Sequence, residues 1–169
     1  APWERFADRV DSIPWFRQAP ACMILNGELH QGLRADTNTA WGCTLDGKTV
    51  IRRSAVGLDE SRNVLFVGIG DDTTARAIAL AMQHVGAKAV AQLDVNYSYP
   101  KFVTFEEREG KLVSKAVCPG FDVHEDDYVR RRSPRDFFYL TRKLPAVGTS
   151  SQGLSGRADE ASASRDGTR

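Results

Sequence analysis

The sequence predicts an α+β fold, with a mixed β-sheet that combines hairpins and one β-α-β crossover. A strand–helix–strand pattern occupies Val64 to Ser98. Turn dipeptides between short apolar runs predict antiparallel hairpins at three other places. The 169 residues, 41% of them hydrophobic, suffice for one compact domain with a core but not for two domains of ordinary size.

The chain before the crossover predicts a short helix and two hairpins. Pro2 to Asp11 places its apolar residues on one helical face. Ala21 to His30 predicts a hairpin that turns at Asn26-Gly27. Trp41 to Ile51 predicts a second hairpin, with its turn at Asp46-Gly47.

The central pattern predicts two strands joined by an amphipathic helix. Val64 to Ile69 and Ala89 to Leu93 are short, apolar and partly β-branched, which is typical of strands buried on both faces. Between them, apolar residues at three-and-four spacing predict a helix from Thr73 to Val85. Asp72 or Thr73 can cap its first turn, and Gly86 can end it in the left-handed conformation.

The last third of the chain predicts a third hairpin and then a tail. Phe102 to Glu107 and Leu112 to Val117 alternate around Glu109-Gly110. Asp136 to Lys143 is predicted to form either a last strand or an anchoring turn. We expect residues 1–144 to form the domain. Residues 145–169, which lack aromatic side chains, are expected to be a disordered tail.

The composition narrows the classes of partner. The net charge of +1 favours no class, and no stretch approaches the roughly 20 apolar residues that span a bilayer. The basic run from Arg130 to Arg132 is not extended by interleaved basic and aromatic residues, so we predict a solvated loop and no nucleic-acid partner. No cysteine or histidine spacing is typical of a metal site, and we predict no metal and no cofactor.

The three cysteines, Cys22, Cys43 and Cys118, leave two alternatives open. One pair can form a disulfide if the protein is exported, or all three are buried free thiols. The sequence gives no prediction of the oligomeric state.

Polar residues follow both predicted strands of the crossover. A right-handed crossover places the two strands parallel and side by side, so the loops after Gly70 and Leu93 should emerge at one edge of the sheet. Their side chains are suited to binding hydroxyl groups and moving protons. The residues gathered there are Asp71, Asp72, Thr73, Asp94, Asn96, Tyr97 and Ser98. The alternative is a purely structural unit whose polar residues serve only the turns.

Three motifs in one collinear order resemble the phosphodiester glycosidase family, of the uncovering-enzyme type, in its C-terminal part. Arg53-Ser54-Ala55-Val56-Gly57 is similar to the family's Arg-Ser/Thr-Ala-x-Gly stretch. Val85-Gly86-Ala87 is similar to its helix-ending Gly-Ala pair, and Leu93 to Ser98 to its Leu-Asp-Gly-Gly-Gly-Ser loop. The glycine triplet is replaced here by Val95-Asn96-Tyr97.

The family also carries an Asn-Gly-Gly-Phe motif on an early strand, of which Asn26-Gly27-Glu28-Leu29 is a weak echo. We therefore expect the chain to begin inside the domain, without its first portion.

The resemblance implies a hydrolase that acts on a sugar phosphodiester or on an envelope or exopolysaccharide glycan, exported to the periplasm or the cell exterior. It implies Asp94 as the leading catalytic carboxylate, Asp71 or Asp72 as its partner, and Arg53 as a ligand of phosphate or sugar oxygens. The other implied substrate-binding residues are Ser54, Thr73, Asn96, Tyr97 and Ser98. Two alternatives stay open: a non-catalytic carbohydrate-binding domain that retains the fold, and a structural domain.

Overall fold

A computed structural model describes residues 7–12, 19–35, 38–133, 135 and 137–142. The chain divides into two compact units, Ala1–Asp136 and Phe137–Arg169. In the second unit, residues 137–142 form no helix or strand, so the described part of the predicted last element is not a strand. The predicted tail at 145–169 lies outside the described residues.

The first unit contains two antiparallel sheets and one α-helix among its described residues. The strands and the helix, in chain order, are β1 (Ile24–Leu25), β2 (Glu28–Leu29), β3 (Ile51–Leu58), β4 (Leu65–Thr73), α1 (Ala75–His84), β5 (Ala89–Val95), β6 (Val103–Arg108) and β7 (Lys111–Ala116). Short 3-10 helices occupy Ala7–Ser12 and Gln31–Arg34. The larger sheet has the order β2-β1-β5-β3-β4, and the smaller one pairs β6 with β7. The fold is therefore α+β.

The predicted side-by-side parallel pair is wrong, because β3 lies between β4 and β5 and is antiparallel to both. Neighbouring strands in the described sheets are all antiparallel, so the sheet is not mixed. The physical reason is the short turn over residues 59–64, which folds β4 back onto β3 as a local hairpin. As a result β4 is an edge strand with exposed side chains, and the prediction that it is buried on both faces is wrong.

Two of the three predicted hairpins are confirmed. Asn26 and Gly27 have φ values of 54° and 81° between β1 and β2, and Glu109 and Gly110 have 51° and 72° between β6 and β7. Positive φ at both central residues suits the twist of a tight hairpin.

The hairpin predicted over Trp41 to Ile51 is wrong, although its turn is present. The amide of Gly47 donates to the Thr44 carbonyl, and the amide of Thr44 donates to the Lys48 carbonyl, each at 2.9 Å. No strand flanks this turn in residues 41–50. Most side chains here are exposed, so an alternating pattern would have no apolar face to bury.

Helix α1 begins two residues later than predicted. Its N-cap is Thr74, whose side chain accepts a hydrogen bond from the amide of Ala77 at 3.0 Å. Neither Asp72 nor Thr73 caps it, because β4 continues through both residues. Gly86, with φ of 101°, follows the helix as predicted.

The core lies between α1 and one face of the larger sheet. The apolar residues of α1, among them Ile78, Ala79 and Met82, are buried against the sheet. Close packing depends on Gly68 of β4, where an added Cβ would lie 2.6 Å from the Met82 sulfur. The helix can approach the sheet this closely because that position has no side chain.

Arg53 is fully buried on the helix-covered face and connects three parts of the chain. Its Nη1 donates to the Trp41 carbonyl and to Gln92 Oε1, at 2.7 and 3.1 Å. Its Nη2 donates to the carbonyls of Gly42 and Thr49, at 2.8 and 2.7 Å, and its Nε to that of Thr73 at 3.1 Å. All five N–H groups are satisfied, and none of the acceptors is a carboxylate.

We predict that Arg53→Ala lowers the free energy of unfolding by roughly 3–5 kcal/mol, because it leaves several buried carbonyls without a donor. Urea titration measures this loss. Arg52→Ala is the matched control on the opposite face of the same strand, with an expected loss of about 1–2 kcal/mol. Equal losses in the two variants would contradict the structural role of Arg53.

Candidate functional site

Two irregularities in strand register place the acidic residues of the site. Between Gly70 and Thr73, β4 has one residue more than β3, and between Gln92 and Val95, β5 has one residue more than β3. Such bulges redirect side chains and are common beside functional sites. Asp72 lies in the first bulge with φ of 44°. The predicted loop after Gly70 is therefore the last part of a bulged strand.

Arg52 is the cation of the site. Its Nη2 donates to Asp71 Oδ2 at 3.1 Å, its Nε donates to Asp71 Oδ1, and its Nη1 donates to the Tyr97 carbonyl at 2.7 Å. Its guanidinium carbon lies 4.0 Å from the centre of the Phe121 ring. The hydrogen bond to Asp71 raises the pKa of Arg52 above its ordinary value. Arg52 thus fixes both Asp71 and the start of the chain segment after β5.

Asp72 and Tyr97 form the second pair. The Tyr97 hydroxyl donates to Asp72 Oδ1 at 2.9 Å, and the tyrosine is 50% exposed. This hydrogen bond raises the pKa of Tyr97, because it stabilises the protonated phenol. A carboxylate, a phenol and an ion pair therefore share one exposed surface at the end of β4. We call Arg52, Asp71, Asp72, Tyr97 and Phe121 the β4-end cluster.

Asp94 has contacts within β5 and with the neighbouring strand β3. Its Oδ1 accepts a hydrogen bond from the amide of Val95 at 2.8 Å, and its carbonyl accepts one from the buried Ser54 hydroxyl at 2.9 Å. These bonds stabilise the bulge of β5, and neither joins Asp94 to the β4-end cluster. Ser54 is only 7% exposed, so its hydroxyl serves the sheet.

Each remaining predicted site residue either makes hydrogen bonds with the backbone or lies exposed at the surface. The five donors of Arg53 are all engaged, and its guanidinium faces the core. Thr73 supplies a carbonyl to Arg53. Asn96 Oδ1 accepts hydrogen bonds from the amides of Ser98 and Tyr99, at 2.9 and 2.7 Å. This turn holds Ser98 at the surface.

Sequence reasoning missed Arg52 and Phe121. Alternation along β3 correctly implies that Arg52 and Arg53 face opposite ways. The resemblance favours Arg53 as the ligand-binding arginine, whereas the structure places Arg52 beside Asp71. The structure separates the two arginines: Arg52 shares its face with the polar end of β4, and Arg53 shares its face with Ala55 and Gly57, over which α1 packs. Phe121 lies far along the chain in an irregular segment, and no sequence pattern indicated it.

The described residues contain no group of three or more side chains suited to holding a metal ion. The three cysteines are free thiols, as one of the two alternatives predicts. Their predicted burial is wrong, because Cys43 is exposed and Cys22 and Cys118 are only half-buried. Among the described helices, none has the length and apolar character needed to cross a membrane.

We predict that Asp72→Asn lowers the pKa of Tyr97 towards its ordinary value of 10.0, because the ionised hydrogen-bond acceptor is lost. A raised folded-state pKa means that the stabilisation from this pair is present below the unfolded pKa and is lost as the pH rises through the folded one. The absorbance of tyrosinate across an alkaline titration measures the pKa. Subtracting the titration of Tyr97→Phe isolates this tyrosine. An identical Tyr97 titration in Asp72→Asn would contradict the prediction.

Comparisons with models of protein families, with curated proteins and with solved structures found no match to this chain. The resemblance to the phosphodiester glycosidase family therefore stays an expectation from the sequence.

Proposed function

We propose that the chain is a carbohydrate-binding domain of the phosphodiester glycosidase type, and that it binds sugar hydroxyl groups at the β4-end cluster. The observation that supports this most directly is the hydrogen bond between Asp72 and the half-exposed Tyr97. It holds a carboxylate and an aromatic ring side by side at the surface. Carboxylates accept hydrogen bonds from neighbouring hydroxyls, and an aromatic ring offers a flat apolar face to the C–H groups of a sugar.

The ion pair of Arg52 and Asp71 contributes rigidity to this surface. Arg52 bridges β4 and the segment after β5, because it contacts both Asp71 and the Tyr97 carbonyl. Tyr99, 42% exposed, lies in the same segment, and the guanidinium carbon of Arg135 is 4.4 Å from the centre of its ring. A surface that is ordered before it binds loses less entropy on binding.

Binding without turnover is favoured by the positions that resemble the family's motifs. Arg53 has no donor left for a ligand, and Asp94 Oδ1 is engaged by its own strand. Val95-Asn96-Tyr97 adds side chains where the family brings bare backbone close to its ligand. The resemblance supports a shared fold, and these contacts support a site built from other residues.

Hydrolysis is the second candidate, favoured by the different surroundings of two adjacent carboxylates. Asp71 is ion-paired to Arg52, and Asp72 accepts a hydrogen bond from a neutral phenol. Glycoside cleavage uses two carboxyl groups in distinct environments, one of which protonates the leaving group. On this proposal the protein is exported and hydrolyses a sugar phosphodiester or an envelope or exopolysaccharide glycan.

We predict that neutral glycans bind and that both Tyr97→Ala and Asp72→Asn weaken binding about tenfold or more, since each removes a direct contact. Isothermal titration calorimetry against a panel of neutral and phosphorylated oligosaccharides measures this. Asp46→Asn is the matched control, because Asp46 is an exposed carboxylate that contacts only the turn residues Thr44 and Lys48 among its described partners. Equal affinity in all four proteins would count against the site.

We predict no release of free sugar when the protein is incubated with a sugar 1-phosphodiester, because the family-like arginine and aspartate positions are engaged in the sheet. Chromatography of the products provides the measurement. Turnover that Asp72→Asn abolishes and Asp94→Asn leaves unchanged would replace the binding proposal with the hydrolase. Turnover lost in Asp94→Asn would instead support the role that the resemblance implies.

A further inference from the structure

The outer edge of β4 is protected only at its carboxyl end, where the strand is bulged and carries Asp71 and Asp72. β4 ends the strand order of the larger sheet, and the described residues contain no strand that pairs with its outer edge. The six residues from Leu65 to Gly70 carry no charge and no proline. Leu65 and Val67 are 43% and 39% exposed. A long, apolar, unpaired edge strand is a template for another strand.

We propose that β4 pairs antiparallel with β4 of a second copy of this chain, around a two-fold axis at Val67. In this register, Val67 faces Val67 of the second copy, and Leu65 faces Ile69. Directly opposed apolar side chains stabilise an antiparallel pair. A two-fold arrangement makes each off-axis contact twice, which suits a strand whose apolar residues Leu65 and Ile69 are spaced evenly about Val67.

Charge favours this register over a neighbouring one. Antiparallel pairing brings the β3–β4 turn of one copy beside the carboxyl end of β4 in the other. With the axis at Val67, Arg62 in the turn before β4 of each copy lies near Asp72 of the other, which brings two pairs of opposite charge together. An axis at Gly68 would place Leu65 opposite Asp71, which is unfavourable.

The remaining acidic side chain of the turn is already engaged within its own copy. The Asp59 carboxylate accepts a hydrogen bond from the amide of Val64 at 2.8 Å and another from the Ser61 hydroxyl. These bonds lower the pKa of Asp59. Arg62, exposed and with φ of 61°, stands at the end of the turn that faces the second copy. The charge complementarity therefore favours a second copy over an unrelated peptide strand.

The first test is the mass in solution. We expect sedimentation equilibrium of the 169-residue chain to give a concentration-dependent mass that approaches twice the 18.7 kDa of one chain. Val67→Lys places two like charges at the axis and should weaken the dimer roughly tenfold or more. Val67→Thr keeps the β-branched shape and should retain the dimer. Circular dichroism and urea unfolding of each variant check that the monomer remains folded, as expected for a position that is already partly exposed.

The second test is a charge exchange that only a two-fold self-pairing can satisfy. Arg62→Asp alone gives two acidic pairs in its dimer, and Asp72→Arg alone gives two basic pairs, so each should be monomeric. An equimolar mixture should recover the dimer, because both pairs in the mixed dimer are then of opposite charge. Glu60→Gln, in the same turn, should not alter the mass.

A wild-type chain that stays monomeric at every concentration would overturn the proposal. So would a dimer that is insensitive to Val67→Lys, which would point to another surface. A dimer that is weakened by both single charge changes but not restored by mixing would show that β4 does not pair with itself in this register. Capture of a different extended segment at the edge would then become the better explanation.

Discussion

The arrangement of the larger sheet depends on the buried guanidinium of Arg53. An isolated charge in an apolar interior is costly, and here no carboxylate contacts it. Burial accordingly lowers the pKa of Arg53, although an arginine keeps its proton in proteins. Four carbonyls and one side-chain amide offset the cost, and they come from three parts of the chain: the irregular residues around Trp41 and Thr49, the end of β4, and β5. The planar fork of five donors therefore ties the irregular segment before β3 to the end of β4 and to β5.

The position of Arg53 also explains why the candidate site forms on the opposite face. Both register shifts of β3 flank this residue, one towards β4 and one towards β5. Each bulge interrupts the alternation of side chains between the two faces of the sheet, at Asp71 and Asp72 in β4 and at Asp94 in β5. Arg52, which faces away from Arg53, pairs with Asp71 beside the first bulge. A single strand thus provides a structural cation to the core and a surface cation to the site.

Local features were predictable from the sequence and long-range pairing was not. Asn26-Gly27 and Glu109-Gly110 determine their own backbone conformation, and the apolar spacing of α1 is set within the helix, so these predictions were correct. The β4–β5 adjacency failed because it depended on where β3 inserts. Arg52-Arg53-Ser54, near the start of β3, gives no strand signal. The pairing of β3 with β4 follows from a turn rich in charged and polar residues. The β4-end cluster was found in part, through Asp71, Asp72 and Tyr97, since these follow apolar strands. Arg52 was passed over because only the packing of α1 shows which of the two arginines, Arg52 or Arg53, is buried.

The charge balance of the β4-end cluster limits the kind of ligand it can hold. Arg52 compensates Asp71, and the neutral phenol of Tyr97 leaves the charge of Asp72 in place, so the cluster carries about one net negative charge. A phosphodiester within about 4 Å of Asp72 would be repelled by about 1 kcal/mol in a fully solvated setting and by more where water is excluded. A neutral sugar meets no such penalty, because its hydroxyls donate to the same carboxylate. Binding an anionic glycan requires a second cation beside Asp72. Arg62, in the turn before β4, is out of reach of Asp72 within one chain. In the proposed dimer, Arg62 of the second copy would lie near Asp72, so the dimer should bind anionic glycans more tightly than the monomer does.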